Sequence, residues 1–130
     1  MKAKTPESLK ILAVDDMPDN LFLLEAIFDD SMGYQLSCVQ SGEAAIETIE
    51  QSPPSLVLLD IMMPEMSGYE VTRRIRQNPD LSHLPVLLMT AHSEVTEAQA
   101  REVGANGVVH KPFDIHDLLT RVDDLLAVAV

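Results

Sequence analysis

The sequence predicts an α/β fold, a doubly wound (βα)5 sandwich whose five-stranded parallel sheet is covered by helices on both sides. Three observations predict it. Short runs of β-branched and aliphatic residues alternate with segments of helical spacing; those runs are apolar at successive positions, as strands buried on both faces must be; and 130 residues suit one compact domain and exclude two full ones. Right-handed crossovers then join each strand to the next.

The strands are predicted at Lys10 to Val14, Tyr34 to Val39, Leu56 to Leu59, Val86 to Met89 and Gly107 to His110. Pro18 suits an early helical position, so the first helix starts there, with Met17, Leu21, Leu24 and Phe28 as its apolar stripe and an end near Gly33. Ser41 caps the second, which turns Ala45, Ile46 and Ile49 inward and Glu43, Glu47 and Glu50 outward, until Pro53 and Pro54 forbid continuation. The third runs from about Ser67 to Arg76. A fourth, Glu94 to Val103, has an apolar face of little more than Val95, Ala98 and Val103, so packing holds it less firmly than its neighbours and it is the expected mobile helix. Asp114 caps the last, whose core face carries Ile115, Leu118, Leu119, Val122, Leu125, Leu126 and Ala129. No internal repeat, low-complexity tract or interior linker interrupts the pattern; residues 1–8 read as a flexible leader and 9–130 as the domain.

Composition removes several classes of function. With 21 Asp and Glu against 9 Lys and Arg, the net charge of -12 repels a phosphate backbone or an anionic membrane surface, which argues against direct nucleic-acid or membrane binding. The lone Cys38, inside YQLSCV, has no internal disulfide partner and reads as a reduced buried thiol. MKAKTPESLK has no apolar stretch for a signal peptide and no long uncharged apolar run follows, so a cytoplasmic setting is expected.

In a doubly wound sheet, ligands bind outside the carboxyl ends of the strands. Asp15 and Asp16 follow Val14, Asp60 follows Leu59, Thr90 follows Met89, and Lys111 follows His110. Each residue alone has an ordinary reading: the first two serve a helix dipole, Asp60 a turn, Thr90 strand propensity, and Lys111 a solvated surface. Those readings leave the collection of three carboxylates, a hydroxyl and one lysine on a single edge unexplained. Neighbouring carboxylates repel unless a cation shares the site, and Mg²⁺, held by few carboxylates and several waters, leaves room for phosphoryl oxygens. A carboxylate there can attack phosphorus and form an aspartyl phosphate, with Lys111 and Thr90 supplying an ammonium and a hydroxyl donor. The edge reads as a phosphoryl-acceptor site.

KILAVDD, SLVLLDIMMPEMSGYE, LPVLLMTA and GANGVVHKPF, in that order and each at a strand end, resemble the response-regulator receiver domain of two-component signalling, over residues 9 to 126. The resemblance implies a flavodoxin-like fold with strand order 2-1-3-4-5. It implies that Asp60 is the phosphoacceptor, that Asp15, Asp16, Asp60 and the backbone carbonyl of Met62 hold Mg²⁺, that Thr90 and Lys111 contact the phosphoryl group, and that the Lys111–Pro112 bond is cis. Its implied donor is a phosphohistidine on a histidine kinase or a histidine phosphotransfer protein, with Thr90 and the fourth helix carrying the switch. Such a chain is a phosphoryl acceptor that catalyses its own phosphorylation and dephosphorylation, not an enzyme with a separate substrate.

The sequence departs from the family at Val108, three residues before the lysine, where receivers usually carry Tyr or Phe. A valine cannot swing as a ring does, so the fourth helix is expected to move without an aromatic gate. Met62 and His92 stand where this family tunes the lifetime of the phosphoryl group, although a surface-loop histidine is the ordinary reading of His92. His83, His110 and His116 form no transition-metal set, Met62, Met63 and Met66 read as loop packing, and Arg73, Arg74 and Arg76 suit a helix carboxyl end. The first helix around Asn20 and the loop at Pro112 and Phe113 flank the acceptor edge, where a helical donor would dock. The final LLAVAV has no polar stop, as in a domain cut from a longer protein or packed on a second copy. Two other classes remain: a phosphorylation-independent pseudo-receiver, and a small aspartate-nucleophile phosphatase, which commonly needs an acid where Met62 stands.

Overall fold

The computed structural model describes residues 9–28 and 33–128, and the side chains of these except that of Val128; the predicted leader and Ala129 lie outside the described residues. Strands β1 (Lys10–Val14), β2 (Gln35–Val39), β3 (Leu56–Asp60), β4 (Val86–Thr90) and β5 (Gly107–His110) alternate with helices α1 (Pro18–Ile27), α2 (Gly42–Gln51), α3 (Gly68–Gln77), α4 (Glu97–Glu102) and α5 (Ile115–Val128). The strands form one parallel sheet in the order β2-β1-β3-β4-β5. The predicted fold class and strand order are those observed.

Alternation along each strand divides the core in two, because successive side chains point to opposite faces. Leu12, Val14, Val57, Leu59, Val86, Leu88 and Val108 meet Ala45 and Ile49 of α2, Val71 and Ile75 of α3, and Ala100 of α4. On the other face Ile11, Ala13, Leu56, Leu58, Leu87, Met89 and Val109 meet Leu21 and Leu24 of α1 and Leu118, Val122 and Leu126 of α5. The central strands β3 and β4 are buried at every position, whereas the edge strand β2 is nowhere fully buried. That edge position corrects the reading of Cys38: its thiol is half-buried, 3.9 Å from Glu25 Oε2, and burial, with the Glu25 charge second, pushes it up to about 11.

The helix ends follow local capping chemistry. Ser41 Oγ accepts the Ala44 N–H and Ser67 Oγ the Glu70 N–H, while an Asp114 carboxylate oxygen accepts the Asp117 N–H. The fourth helix is shorter than predicted, because Thr96 and Gln99 form a reciprocal capping box that starts it at Glu97. Its buried residue is Ala100; Ala98 faces solvent, contrary to the predicted face. Met17 and Ile115 also leave their predicted stripes and are exposed: Met17 is the N-cap ahead of α1 and Ile115 the first residue of α5, so each stands at the amino end of its helix, past the carboxyl end of the preceding strand. The first helix ends at Ile27, capped by Phe28, ahead of the predicted end near Gly33.

Two contacts fix the chain around the carboxyl edge and its opposite end. Gly68 opens α3 directly over β3, where an added Cβ would stand 2.4 Å from the Asp60 carbonyl oxygen, so only glycine fits. Arg76, read from the sequence as a dipole partner with no further role, donates instead to the carbonyls of Gly104, Leu84 and Ser82 and to Asn106 Oδ1. It ties the end of α3 to the start of β4 and to the turn after α4.

Candidate phosphoryl-acceptor site

Three strand ends bring the charged residues together. Asp15 is fully buried immediately after β1, Asp60 closes β3 at 4% exposure, and the half-buried Asp16 stands beside them. One carboxylate oxygen from each lies within 4.8 Å of the others. Lys111, just after β5, reaches across: its Nζ donates to Asp15 Oδ2 at 2.7 Å and to Asp60 Oδ1 at 3.2 Å. Asp15 Oδ1 is occupied separately, accepting the Met17 N–H at 2.9 Å, which fixes the carboxylate at the head of α1. The Lys111–Pro112 bond is cis, as the resemblance implied.

Burial raises the Asp60 carboxyl above its ordinary value, the Asp15 charge adds to that, and the opposing pull of Lys111 does not cancel them. One ammonium against three carboxylates leaves uncompensated negative charge in a largely desolvated corner. A hard divalent cation suits such a set: the donors are all oxygen, they converge, and the corner opens on a cleft of about 550 Å³ with room for water ligands. The cleft is lined by Asp16, Met17, Asn20, Met62, Lys111 and Pro112 among others. Met62, predicted to pack within its loop, is instead 59% exposed there, while Met63 and Met66 are buried.

Thr90 is fully buried at the end of β4, and its hydroxyl oxygen accepts the His92 N–H at 3.0 Å. Among the described residues it makes no hydrogen bond to the three carboxylates. The sequence-predicted residues thus divide into an assembled group, Asp15, Asp16, Asp60 and Lys111, and Thr90, which is turned to its own loop. His92 is exposed with Nδ1 3.4 Å from Glu94 Oε2. Val108 is buried on the α4 side of the sheet at 2% exposure, with no ring to move. Sequence reasoning missed two links around this loop: His110 Nε2 lies 2.8 Å from the Val95 carbonyl, and Glu97 pairs with Arg121 at 2.7 Å. Neither has a local signature, since the partners are 15 and 24 residues apart in the chain; a small residue at Gly107, beneath the second pair, is the one trace they leave in the sequence.

Residues 11–123 match the response regulator receiver domain family, and the chain belongs to it: it is a receiver domain of two-component signalling. Among relatives, a protein of Vibrio cholerae named "Probable cyclic di-GMP phosphodiesterase" is 44% identical over 114 residues, which are 86% of this chain and 25% of that protein. Response regulator PleD of Caulobacter vibrioides is 37% identical over 119 residues, 91% of this chain and 26% of that protein. The chain spans about a quarter of the length of these two curated relatives, so the activity in the first one's name does not pass to it. Among solved structures, the receiver domain of a sensor histidine kinase from Pseudomonas aeruginosa superposes with a TM-score of 0.83 at 27% identity, covering 92% of this chain and 98% of that one; it holds a magnesium ion in its active-site cleft. No described helix is long and apolar enough to cross a membrane.

Proposed function

We propose that residues 9–130 form a Mg²⁺-dependent receiver in which Asp60 accepts a phosphoryl group from a phosphohistidine on a histidine kinase or a histidine phosphotransfer protein. The observation that carries this reading is the Lys111 ammonium shared between Asp15 and Asp60, beside Asp16, at the mouth of an open cleft. An Asp60 carboxylate oxygen attacks phosphorus in line, the bond from phosphorus to the donor imidazole breaks, and the new bond is an acyl phosphate. Asp15, Asp16, Asp60 and the backbone carbonyl of Met62 would hold Mg²⁺, which when bound supplies positive charge for the phosphoryl oxygens. Lys111 keeps an ammonium against the same oxygens.

Thr90 follows the new charge. Phosphorylation adds nearly two negative charges and strong acceptors, so the Thr90 hydroxyl gives up the His92 N–H and donates to a phosphoryl oxygen. The loop between β4 and α4 loses that tether, and the population of α4 positions shifts. The donor docks over the cleft, where Met17 and Met62 expose apolar side chains beside Asn20 and Pro112. The relatives named as kinases or response regulators support a reaction within a phosphorelay, and the reduced state expected of Cys38 suits a cytoplasmic setting for it.

Incubation with acetyl phosphate and Mg²⁺, followed by intact-mass measurement and peptide mapping, is expected to give one phosphoryl adduct on Asp60, absent when the metal is chelated. An unmodified chain with both acetyl phosphate and a phosphohistidine donor would overturn the reading and leave a binding module that works without phosphorylation.

A further inference from the structure

At the far edge of the sheet, Glu97 of α4 and Arg121 of α5 reach toward each other from opposite faces. Glu97 Oε2 lies 2.7 Å from an Arg121 nitrogen and also accepts the Val108 N–H at 3.5 Å, so the pair straps across the outer edge of β5. The strand leaves room for it: a Cβ on Gly107 would stand 2.3 Å from Arg121 Nη2 and 3.0 Å from Glu97 Oε1. The strap is incompletely satisfied, because Glu97 Oε1 is the one buried side-chain polar atom among the described residues with no hydrogen-bond partner.

Apart from the strap, α4 itself is lightly packed. The helix has six residues and one fully buried side chain, Ala100, flanked by the half-buried Val95 and Val103. Its carboxyl end is pinned, since Arg76 donates to the Gly104 carbonyl at 2.7 Å. Ahead of its amino end the chain is held by Thr90 on the His92 N–H and by His110 on the Val95 carbonyl. A helix pinned at one end and strapped at the other has a natural swing, and Val108, buried and rigid, offers no alternative gate.

We propose that the Glu97–Arg121 pair is a latch that holds α4 at rest, so that opening it favours the phosphoryl-accepting arrangement; this rests on the reading of Asp60 given above. Linkage makes the effect reciprocal: if phosphorylation releases the latch, releasing the latch by substitution promotes phosphorylation.

The test compares the unaltered chain with Glu97→Gln, Arg121→Gln, the double variant and Arg121→Lys. Amide spectra are recorded with and without beryllofluoride and Mg²⁺, and the rate of Asp60 phosphorylation by acetyl phosphate is followed by mass. Each neutralising single substitution is expected to move the unliganded resonances of residues 91–103 along the line toward the beryllofluoride-bound positions. It should also raise the phosphorylation rate roughly two- to fivefold, the scale of a half-exposed ion pair. The double variant should add nothing to either single one, and Arg121→Lys, which keeps the charge, should stay near the unaltered chain. Unmoved resonances with an unchanged rate would overturn the latch while leaving the acceptor reading intact, as would shifts off that line, which mark local fraying. An unaltered chain that takes no phosphoryl group would remove the acceptor reading and the latch with it.

Discussion

Asp60→Asn is expected to abolish phosphoryl acceptance and at the same time to raise the thermal stability of the metal-free protein. The first effect follows from chemistry: an amide is a poor nucleophile toward phosphorus and a weaker ligand for a hard cation. The second follows from electrostatics. Burial and the Asp15 charge hold the folded carboxyl above its unfolded value, so the folded state binds that proton more tightly. The stabilising share of this group is therefore complete below the unfolded carboxylate range and is lost as pH rises through the raised folded value. At neutral pH the ionised group weighs against folding, and a neutral amide of the same shape removes that cost. Tm without metal should rise by roughly 3 °C, read by circular dichroism, and the gain should vanish at acidic pH. A loss of acceptance accompanied by a fall in Tm would mean that Asp60 is a structural partner of Lys111 more than a strained acceptor.

Arg76→Ala is expected to cost more stability than removal of either neighbouring arginine of α3, Arg73 or Arg74. Arg76 donates to three backbone carbonyls and to the Asn106 side chain, whose Oδ1 also accepts the Val86 N–H. Its half-buried guanidinium satisfies acceptors that alanine would leave without partners, at the point where α3, β4 and the turn before β5 converge. Hydrogen bonds to a charged group carry more weight than neutral ones, and a loss of about 3 kcal/mol is expected, or roughly 10 °C in Tm. Arg74→Ala serves as the comparison: its partner is Glu70 at 3.8 Å on an exposed helix face, and its removal should change stability by less than about 0.5 kcal/mol. Equal effects at the two positions would contradict the role assigned to Arg76.

The frame was legible because its signals are local. Apolar runs at successive positions marked the strands to within a residue, and Ser41 and Asp114 marked helix starts by their capping chemistry, while Ser67, read only as the approximate start of α3, proves to cap it as well. The start of α4 was legible too, since Thr96 followed by Gln99 three residues on is a capping box. An apolar count that began at Val95 obscured it. Exposure was read less well at Met17, Ile115 and Cys38, because periodicity says which residues share a face and not where the sheet beneath them ends.

At the site, placing polar residues at the carboxyl ends of strands was enough to bring Asp15, Asp16, Asp60 and Lys111 together, since a parallel sheet gathers those ends by construction. The direction of the Thr90 hydroxyl was beyond the sequence, as it depends on the path of the loop that returns the His92 N–H. Arg76, His110 and Glu97 were missed for a related reason. Each finds its partner through the packing of two elements, and a charged residue near a helix end looks the same whether it meets solvent or a buried carbonyl.

The most direct measurement is an amide-resonance titration of the whole chain, first with Mg²⁺ and then with beryllofluoride added as the phosphoryl stand-in. Saturable shifts at Asp15, Asp16, Asp60 and Met62 with metal alone, joined by Thr90, Lys111 and residues 91–103 only when both are present, are the result expected of one pocket completed in two steps. A spectrum that does not change at those positions, or that changes at Thr90 and the fourth helix with metal alone, would contradict it.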